Sequence, residues 1–510
     1  MEHVVENKDR RHAVHRPTVT TRYGILRGST AAGSVAAFRG IPYAAAPVGA
    51  NRFREPQPVA AWDGVRDATR YGPTAPKAPY AAPFDQLIPE ADIAGEDCLN
   101  LNVWTTDPAG RLPVMVWLHG GAFANGSGSV PGYDGTRFAR DGVVLVTVNY
   151  RLGADGFGRF EDTPANLGLR DQIAALRWVQ DNIAAFGGDP DRVTVFGESA
   201  GAMSIGALLA IPHATGLFQR AVLQSGAAHH TLSPGSAERI TRHLAGLLDV
   251  PPTRDAVAAV PVEQLVQAQQ QLRAAIAAEP DPARWGEAAL NLMPFEPVVD
   301  GDFLSGPPLD RISAGAGAEV DLLIGTNSDE FRLFLAPTGV LDLLPEEAAR
   351  ATATRYGLDP ESALAVYRRG RPQATPGELL AATATDWFYR IPAIRLAEAH
   401  LRHRAGGTFL YEFAWQSPTF GGRMGACHAS ELPFVFGNLQ DPGFTALIGA
   451  EPPQHLSDTM HGAWVSFAGT GDPGWPPYDT TARTTMCFDT VSAAVADPRA
   501  EERTLWDGHR

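Results

Sequence analysis

Val193-Thr-Val-Phe-Gly-Glu-Ser-Ala-Gly-Ala202 runs apolar and β-branched, breaks at Gly197, and sets Ser199 between two glycines before a second apolar run begins. The spelling Gly-x-Ser-x-Gly is what a nucleophile elbow needs: a tight strand-to-helix turn that strains the serine backbone and presents its hydroxyl to a cleft. With 52 Gly and 18 Ser in 510 residues, a shuffled chain would still hold about 0.2 such motifs. The surrounding chain therefore has to carry the argument.

Around the elbow, strand and helix patterns alternate. Pro113-Val-Met-Val-Trp-Leu118 and Val143-Val-Leu-Val-Thr-Val-Asn-Tyr150 are continuous apolar runs of buried-strand length. Residues 169–186 have amphipathic helical spacing and stop at Gly187-Gly188. A helix over 203–211 separates the elbow strand from Ala221-Val-Leu-Gln224, and Val320-Asp-Leu-Leu-Ile-Gly325 reads as a further strand. This alternation predicts an α/β fold, with a mostly parallel central sheet flanked by helices and functional loops at the strands' carboxyl ends. Segments 19–28 and 34–40 read as short antiparallel strands, and 99–104 and 407–413 as others. The proline-dense stretch 41–89 reads as ordered but irregular. Long helical insertions are expected near 236–285 and 340–404, on a single catalytic domain over 18–510 that follows a disordered tail over 1–17.

Composition narrows the function. At 44% hydrophobic and 19% charged the chain can bury a large core. Its net charge of −15 argues against nucleic acid as a partner and favours cationic over anionic substrates. Three cysteines cannot build a disulfide framework, and no Cys-x-x-Cys pair suggests zinc. The first residues lack the apolar core of a secretory signal, and no run approaches the ~20 apolar residues of a membrane span, so a cytoplasmic protein is expected.

An elbow serine is inert until a base removes its proton and donors receive the oxyanion formed on attack. The strand before residue 118 ends in His119-Gly-Gly-Ala-Phe123, in isolation a plain Gly-rich turn but beside an elbow a source of main-chain donors. Gly120, Gly121 and Ala200, the residue after the nucleophile, are the expected oxyanion hole. In the order Ser, acid, His, the acid follows a later strand, where Gly325-Thr-Asn-Ser-Asp-Glu-Phe331 offers both Asp329 and Glu330. His428, in Gly425-Ala-Cys-His-Ala-Ser-Glu-Leu-Pro-Phe-Val-Phe-Gly437, is one of 14 histidines and has only its position to recommend it.

Taken in order, Phe38-Arg-Gly-Ile-Pro-Tyr-Ala44, Glu96-Asp-Cys-Leu-Asn-Leu-Asn102, His119-Gly-Gly-Ala-Phe123, Phe196-Gly-Glu-Ser-Ala-Gly-Ala202, Leu223-Gln-Ser-Gly226, Pro297-Val-Val-Asp-Gly301 and Phe467-Ala-Gly-Thr-Gly-Asp-Pro473 form a set. With them the sequence resembles the type B carboxylesterases, the group of bacterial p-nitrobenzyl esterases, vertebrate carboxylesterases and cholinesterases, over about 19–479. The resemblance implies an α/β-hydrolase fold with Ser199 as nucleophile, His428 as general base and Glu330, rather than Asp329, as its carboxylate partner. It places Glu198 and Ser225 beside this triad, pairs Arg52 with Glu96 and Arg151 with Asp171, and puts Leu290, Leu292 and Met293 in the acyl pocket. Cys98 would be unbridged, because Ala75 stands where family members with a disulfide have the second cysteine. No tryptophan lies between Ala75 and Glu96 to hold a quaternary ammonium, which argues against choline esters. The implied activity is hydrolysis of small to medium neutral esters through an acyl-enzyme, with a small-molecule ester as substrate and no metal or organic cofactor. Amide, carbamate or lactone hydrolysis at the same site is the alternative. A non-catalytic binding module, as in the neuroligins, is disfavoured because all three triad positions are retained.

Overall fold

A computed structural model of the chain describes residues 16–403 and 407–509. The tail expected over 1–17 lies, but for its last two residues, outside them. Among the described residues the strands are β1 (Thr18–Thr21), β2 (Gly24–Arg27), β3 (Ser29–Thr30), β4 (Ala36–Pro42), β5 (Val65–Asp67), β6 (Asn100–Thr105), β7 (Leu112–Leu118), β8 (Val144–Val148), β9 (Gly188–Glu198), β10 (Arg220–Gln224), β11 (Asp321–Asn327), β12 (Thr408–Phe413), β13 (Thr484–Phe488) and β14 (Ala493–Ala496). β1, β2 and β5 make a small sheet, and the other eleven stand in the order β14-β13-β12-β11-β10-β9-β7-β8-β6-β4-β3. From β8 through to β13 neighbouring strands run parallel, while β6, β4 and β3 at one edge and β14 at the other run antiparallel. The expected fold class, an α/β hydrolase with a mostly parallel sheet, is the one observed.

The apolar runs are continuous because both faces of the sheet are covered. In β7, Val114, Val116 and Leu118 enter the core on one face, while Met115 and Trp117 enter it on the other. Helices Leu167–Asn182 and Ala200–Ala210 pack on the first face, and Leu432–Phe436 and Gln454–Thr470 on the second. The helical segments after β10 and β11 include Pro234–Leu247 and Val262–Ala278, then Glu346–Arg355, Pro360–Gly370, Pro376–Thr385 and Ile391–Leu401. Their starts follow capping chemistry: Thr375 and Glu378 bond each other's backbone N–H groups at the head of Pro376–Thr385. Among the described residues, no helix is long and apolar enough to cross a membrane.

Of the two ion pairs expected to fix loops, Arg151 grips Asp171 with two bonds of 2.7 and 2.8 Å, both side chains sealed from solvent. The other expectation is corrected. Arg52 lies 3.0 Å from Asp155 Oδ1 and donates to the carbonyls of Ala258 and Val260, whereas Glu96 is exposed. The acidic partner comes from the helical turn Gly153–Phe157 after β8, so the bond ties loops at the carboxyl end of the sheet together. β13 and β14 are strands that sequence patterning did not find: Thr484-Thr-Met-Cys-Phe488 has no continuous apolar run, and every residue of β14 is exposed.

Register puts the ends of the central strands side by side. Leu118 pairs with Gly197, Glu198 with Gln224, and Gln224 with Gly325. Between β9 and the helix Ala200–Ala210, Ser199 holds φ 53° and ψ −123°, a conformation that side-chain-bearing residues avoid. The two glycines around it are explained by one carbonyl. A Cβ on Gly197 would lie 2.7 Å from Leu118 O, and one on Gly201 only 1.9 Å from the same atom. Inside a free helix, Gly201→Ala would stabilise by about 1 kcal/mol. Here it is expected to destabilise by roughly 1–3 kcal/mol through overpacking, seen as a lower urea midpoint; a higher midpoint would show that β7 does not press on the elbow.

Candidate active site

The histidine and the acid reach the elbow from two later loops. Glu330 follows β11, is fully buried, and accepts the N–H of Asn327 at 2.8 Å on Oε1. Its Oε2 lies 2.7 Å from His428 Nδ1. A carboxylate only accepts, so Nδ1 carries the hydrogen and a neutral ring keeps its lone pair on Nε2. The His428 N–H also donates to the Glu330 carbonyl at 3.1 Å. Asp329, the other acidic candidate, turns away: it takes bonds from Ser328, Gln416 and the Ala426 N–H, and pairs with Arg332 at 3.2 Å. Burial would raise its pKa, but Arg332 and these donors hold it below the ordinary carboxylate value.

On its other side, His428 Nε2 lies 3.1 Å from Glu198 Oε1. No hydrogen bond joins the ring to the Ser199 hydroxyl in this structure; Glu198, the residue before the elbow serine, takes the place next to Nε2. Catalytic contacts are commonly long before substrate binds, and Ser199 remains partly exposed while its neighbours are buried. The serine and this carboxylate are close to each other as well, since a Cβ on Gly120 would lie 2.5 Å from Glu198 Oε2 and 3.1 Å from Ser199 Cβ.

These groups are buried together, and their protons follow from it. Burial raises the Glu198 carboxyl to about 8, with Glu431 and Glu330 adding to the effect against His428. Burial alone would lower His428, but Glu198 and then Glu330 outweigh it and push the imidazole up to about 9. Glu431 is a third buried carboxyl, raised by burial and then by Glu330. It accepts from Gln224 Nε2 at 3.1 Å and Asn327 Nδ2 at 2.6 Å, and so ties β10 and β11 to the histidine loop. Sequence reasoning singled out neither Glu431 nor Asn327. The available signal was their position, Glu431 three residues after His428 and Asn327 three before Glu330.

The glycine loop lies opposite. His119 is buried and held neutral, its pKa pushed down to about 3 by burial, and its Nδ1 meets the Gly120 carbonyl at 2.8 Å. Tyr150 stacks on the ring at 4.4 Å and donates to the His119 carbonyl at 2.6 Å. Gly121 has φ 115°, where a Cβ would meet the Asn125 carbonyl at 2.2 Å. Among the described residues, none of the turn and loop hydrogen bonds is donated by Gly120, Gly121 or Ala200. Ala200 N–H is one of the four unpaired donors that open any helix. Ser225 sits at the end of β10 with φ 50°, and its buried Oγ has no hydrogen-bond partner among the described residues. The three pocket candidates do not share one surface: Leu290 lines a cleft of about 620 Å³ with Tyr356 and Trp387, Leu292 is 47% exposed, and Met293 is buried in the core.

Comparison with known proteins decides the family. The Carboxylesterase family model matches residues 15–506. The chain belongs to the carboxylesterase family. It is 40% identical to the para-nitrobenzyl esterase of Bacillus subtilis (strain 168), over 95% of this chain and 97% of that one. It is 35% identical to the phenmedipham hydrolase of Pseudarthrobacter oxydans, again over 95% and 97%. Among solved structures it superposes on a Geobacillus stearothermophilus carboxylesterase with a TM-score of 0.83 at 38% identity, covering 96% of this chain and all of that one. This family member is thus a carboxylic ester hydrolase.

Its electrostatics are open to direct measurement. Because the Glu198 charge favours imidazolium, Glu198→Gln is expected to lower the His428 pKa by roughly one unit or more, followed by NMR titration of 13C-labelled histidine. An unchanged or raised value would show that the two groups do not share a proton.

Proposed function

We propose that this carboxylesterase cleaves small to medium neutral esters in two acyl-transfer steps on a Ser-His-Glu triad, within one catalytic domain over 18–510. Ser199 attacks the ester carbonyl as His428 takes its proton, and Glu330 holds the ring and balances the imidazolium. The N–H groups of Gly120, Gly121 and Ala200 receive the oxyanion, each contributing about 3 kcal/mol of transition-state stabilisation. The alcohol leaves with the proton held by His428. Water then gives a proton to the same ring as it attacks the acyl-enzyme, and the ring returns that proton to Ser199 Oγ as the acid departs. Glu198 and Ser225 flank the reacting atoms, and Leu290 with the Tyr356–Trp387 cleft is the part of the acyl-pocket expectation that faces open space.

The observation that carries this reading is the 2.7 Å contact between Glu330 and His428, made by a carboxylate with no lysine or arginine at ion-pair distance among the described residues. Since a base acts only when neutral, the high His428 pKa places the rise of kcat/KM with pH on the alkaline side of neutrality. The test compares two neighbours. Glu330→Gln is expected to cut kcat on 4-nitrophenyl acetate by at least about a hundredfold, and Asp329→Asn by far less. The reverse ranking would move the acid by one position.

A further inference from the structure

Helix Val262–Ala278 carries Gln269 and Arg273 one turn apart on a single face. Gln269 Oε1 accepts the N–H of Ala154 at 2.9 Å, which seats the helix over the loop that follows β8. Arg273 reaches the loop that follows β7, where its Nη1 donates to Asn125 Oδ1 at 3.1 Å. That carboxamide is fixed from its other end, with Nδ2 donating to the Ala78 carbonyl at 2.7 Å. Asn125 is in turn folded onto the oxyanion loop, its N–H donating to the Gly121 carbonyl at 2.8 Å. Only one residue therefore separates the guanidinium from Gly121.

The charges around it do not balance. Among the described residues, Arg273 has no carboxylate at ion-pair distance and no hydrogen bond besides the one to Asn125. Arg52, Arg151 and Arg390, by contrast, each sit on an acid. Glu90, bonded to the residue that follows Asn125, is held by Lys77 at 3.6 Å and by the N–H of Gly126 at 3.1 Å. The Tyr80 phenol is pushed up by burial, then by Glu90 and Glu198, and pulled down by Arg273. Arg273 is partly exposed, and a guanidinium offers five donors in a planar fork that matches a carboxylate. Four of the five remain for a ligand.

We propose that Arg273 is a specificity-determining residue that receives a carboxylate carried by the substrate, so that the site also takes half-esters of dicarboxylic acids or esters of hydroxy-carboxylic acids. The inference goes beyond the neutral-ester reading and rests on its triad. It also runs against the field of the whole molecule, whose charge of −15 repels anions. That opposition supplies the test.

Wild type, Arg273→Gln and Arg273→Lys are compared on two matched pairs. Mono-4-nitrophenyl adipate against 4-nitrophenyl hexanoate puts the charge on the acyl part, and 4-acetoxybenzoate against its methyl ester puts it on the alcohol part. Arg273→Gln is expected to lower the charged-to-neutral ratio of kcat/KM at least about tenfold in one pair, through KM, with Arg273→Lys keeping most of it. Unchanged ratios in both pairs would overturn the proposal. If Arg273→Gln fails to fold, wild type decides alone. Raising NaCl from about 20 to about 300 mM should lower the ratio as the local pair is screened, whereas the global charge alone would raise it. A flat or rising ratio in both pairs overturns the proposal and leaves the esterase reading intact; no turnover of any neutral ester overturns both.

Discussion

The carbonyl of Leu118 is the fixed point of the site. It presses on both Gly197 and Gly201, so any side chain at either position would push the elbow off the sheet. The contact makes β7 the gauge for two things at once. It forces the turn that leaves Ser199 in a strained, projecting conformation, and one residue later the same strand opens into the loop of His119, Gly120 and Gly121. Ser199 and the glycine loop are therefore placed by one contact between parallel strands, before any side chain of the later loops arrives. Strain of this kind is tolerated only where close packing over-determines it, and both faces of β7 are packed.

What arrives later is charge. Glu198, Glu330 and Glu431 surround a single buried imidazole, and burial raises the first and third while their combined charge raises His428. Several buried acids and one base form an arrangement that holds protons tightly; Glu330 and Glu431 are tied to backbone or carboxamide donors, while Glu198 Oε1 has His428 Nε2 at 3.1 Å. Buried charges of this sort serve geometry more than stability. The bonds of Glu431 to Gln224 and Asn327 illustrate this by linking two strands to the histidine loop.

Much of this was legible in the chain. The parallel strands were found because burial on both faces leaves unbroken apolar runs, and the elbow and the glycine loop because close backbone approach demands glycine at fixed positions. Which of Asp329 and Glu330 meets His428 was not legible from spacing; it depends on where Arg332 and Gln416 draw Asp329, and side-chain partners distant in sequence leave no local pattern. The same reason hid Asp155 as the partner of Arg52 and Asn125 as the hydrogen-bond partner of Arg273. β14 was missed because an exposed edge strand needs no apolar alternation. The contact of Nε2 with Glu198, instead of the serine hydroxyl, is likewise a matter of tertiary geometry.

The central claim is that the backbone strain at residue 199 serves to deliver a nucleophile. It is tested most directly by treating the protein with diethyl 4-nitrophenyl phosphate and mapping the adduct by peptide mass spectrometry. One diethylphosphoryl group on Ser199, appearing as 4-nitrophenyl acetate turnover is lost, is the expected result. Loss of turnover with the label on another residue, or full labelling of Ser199 with turnover intact, would contradict it.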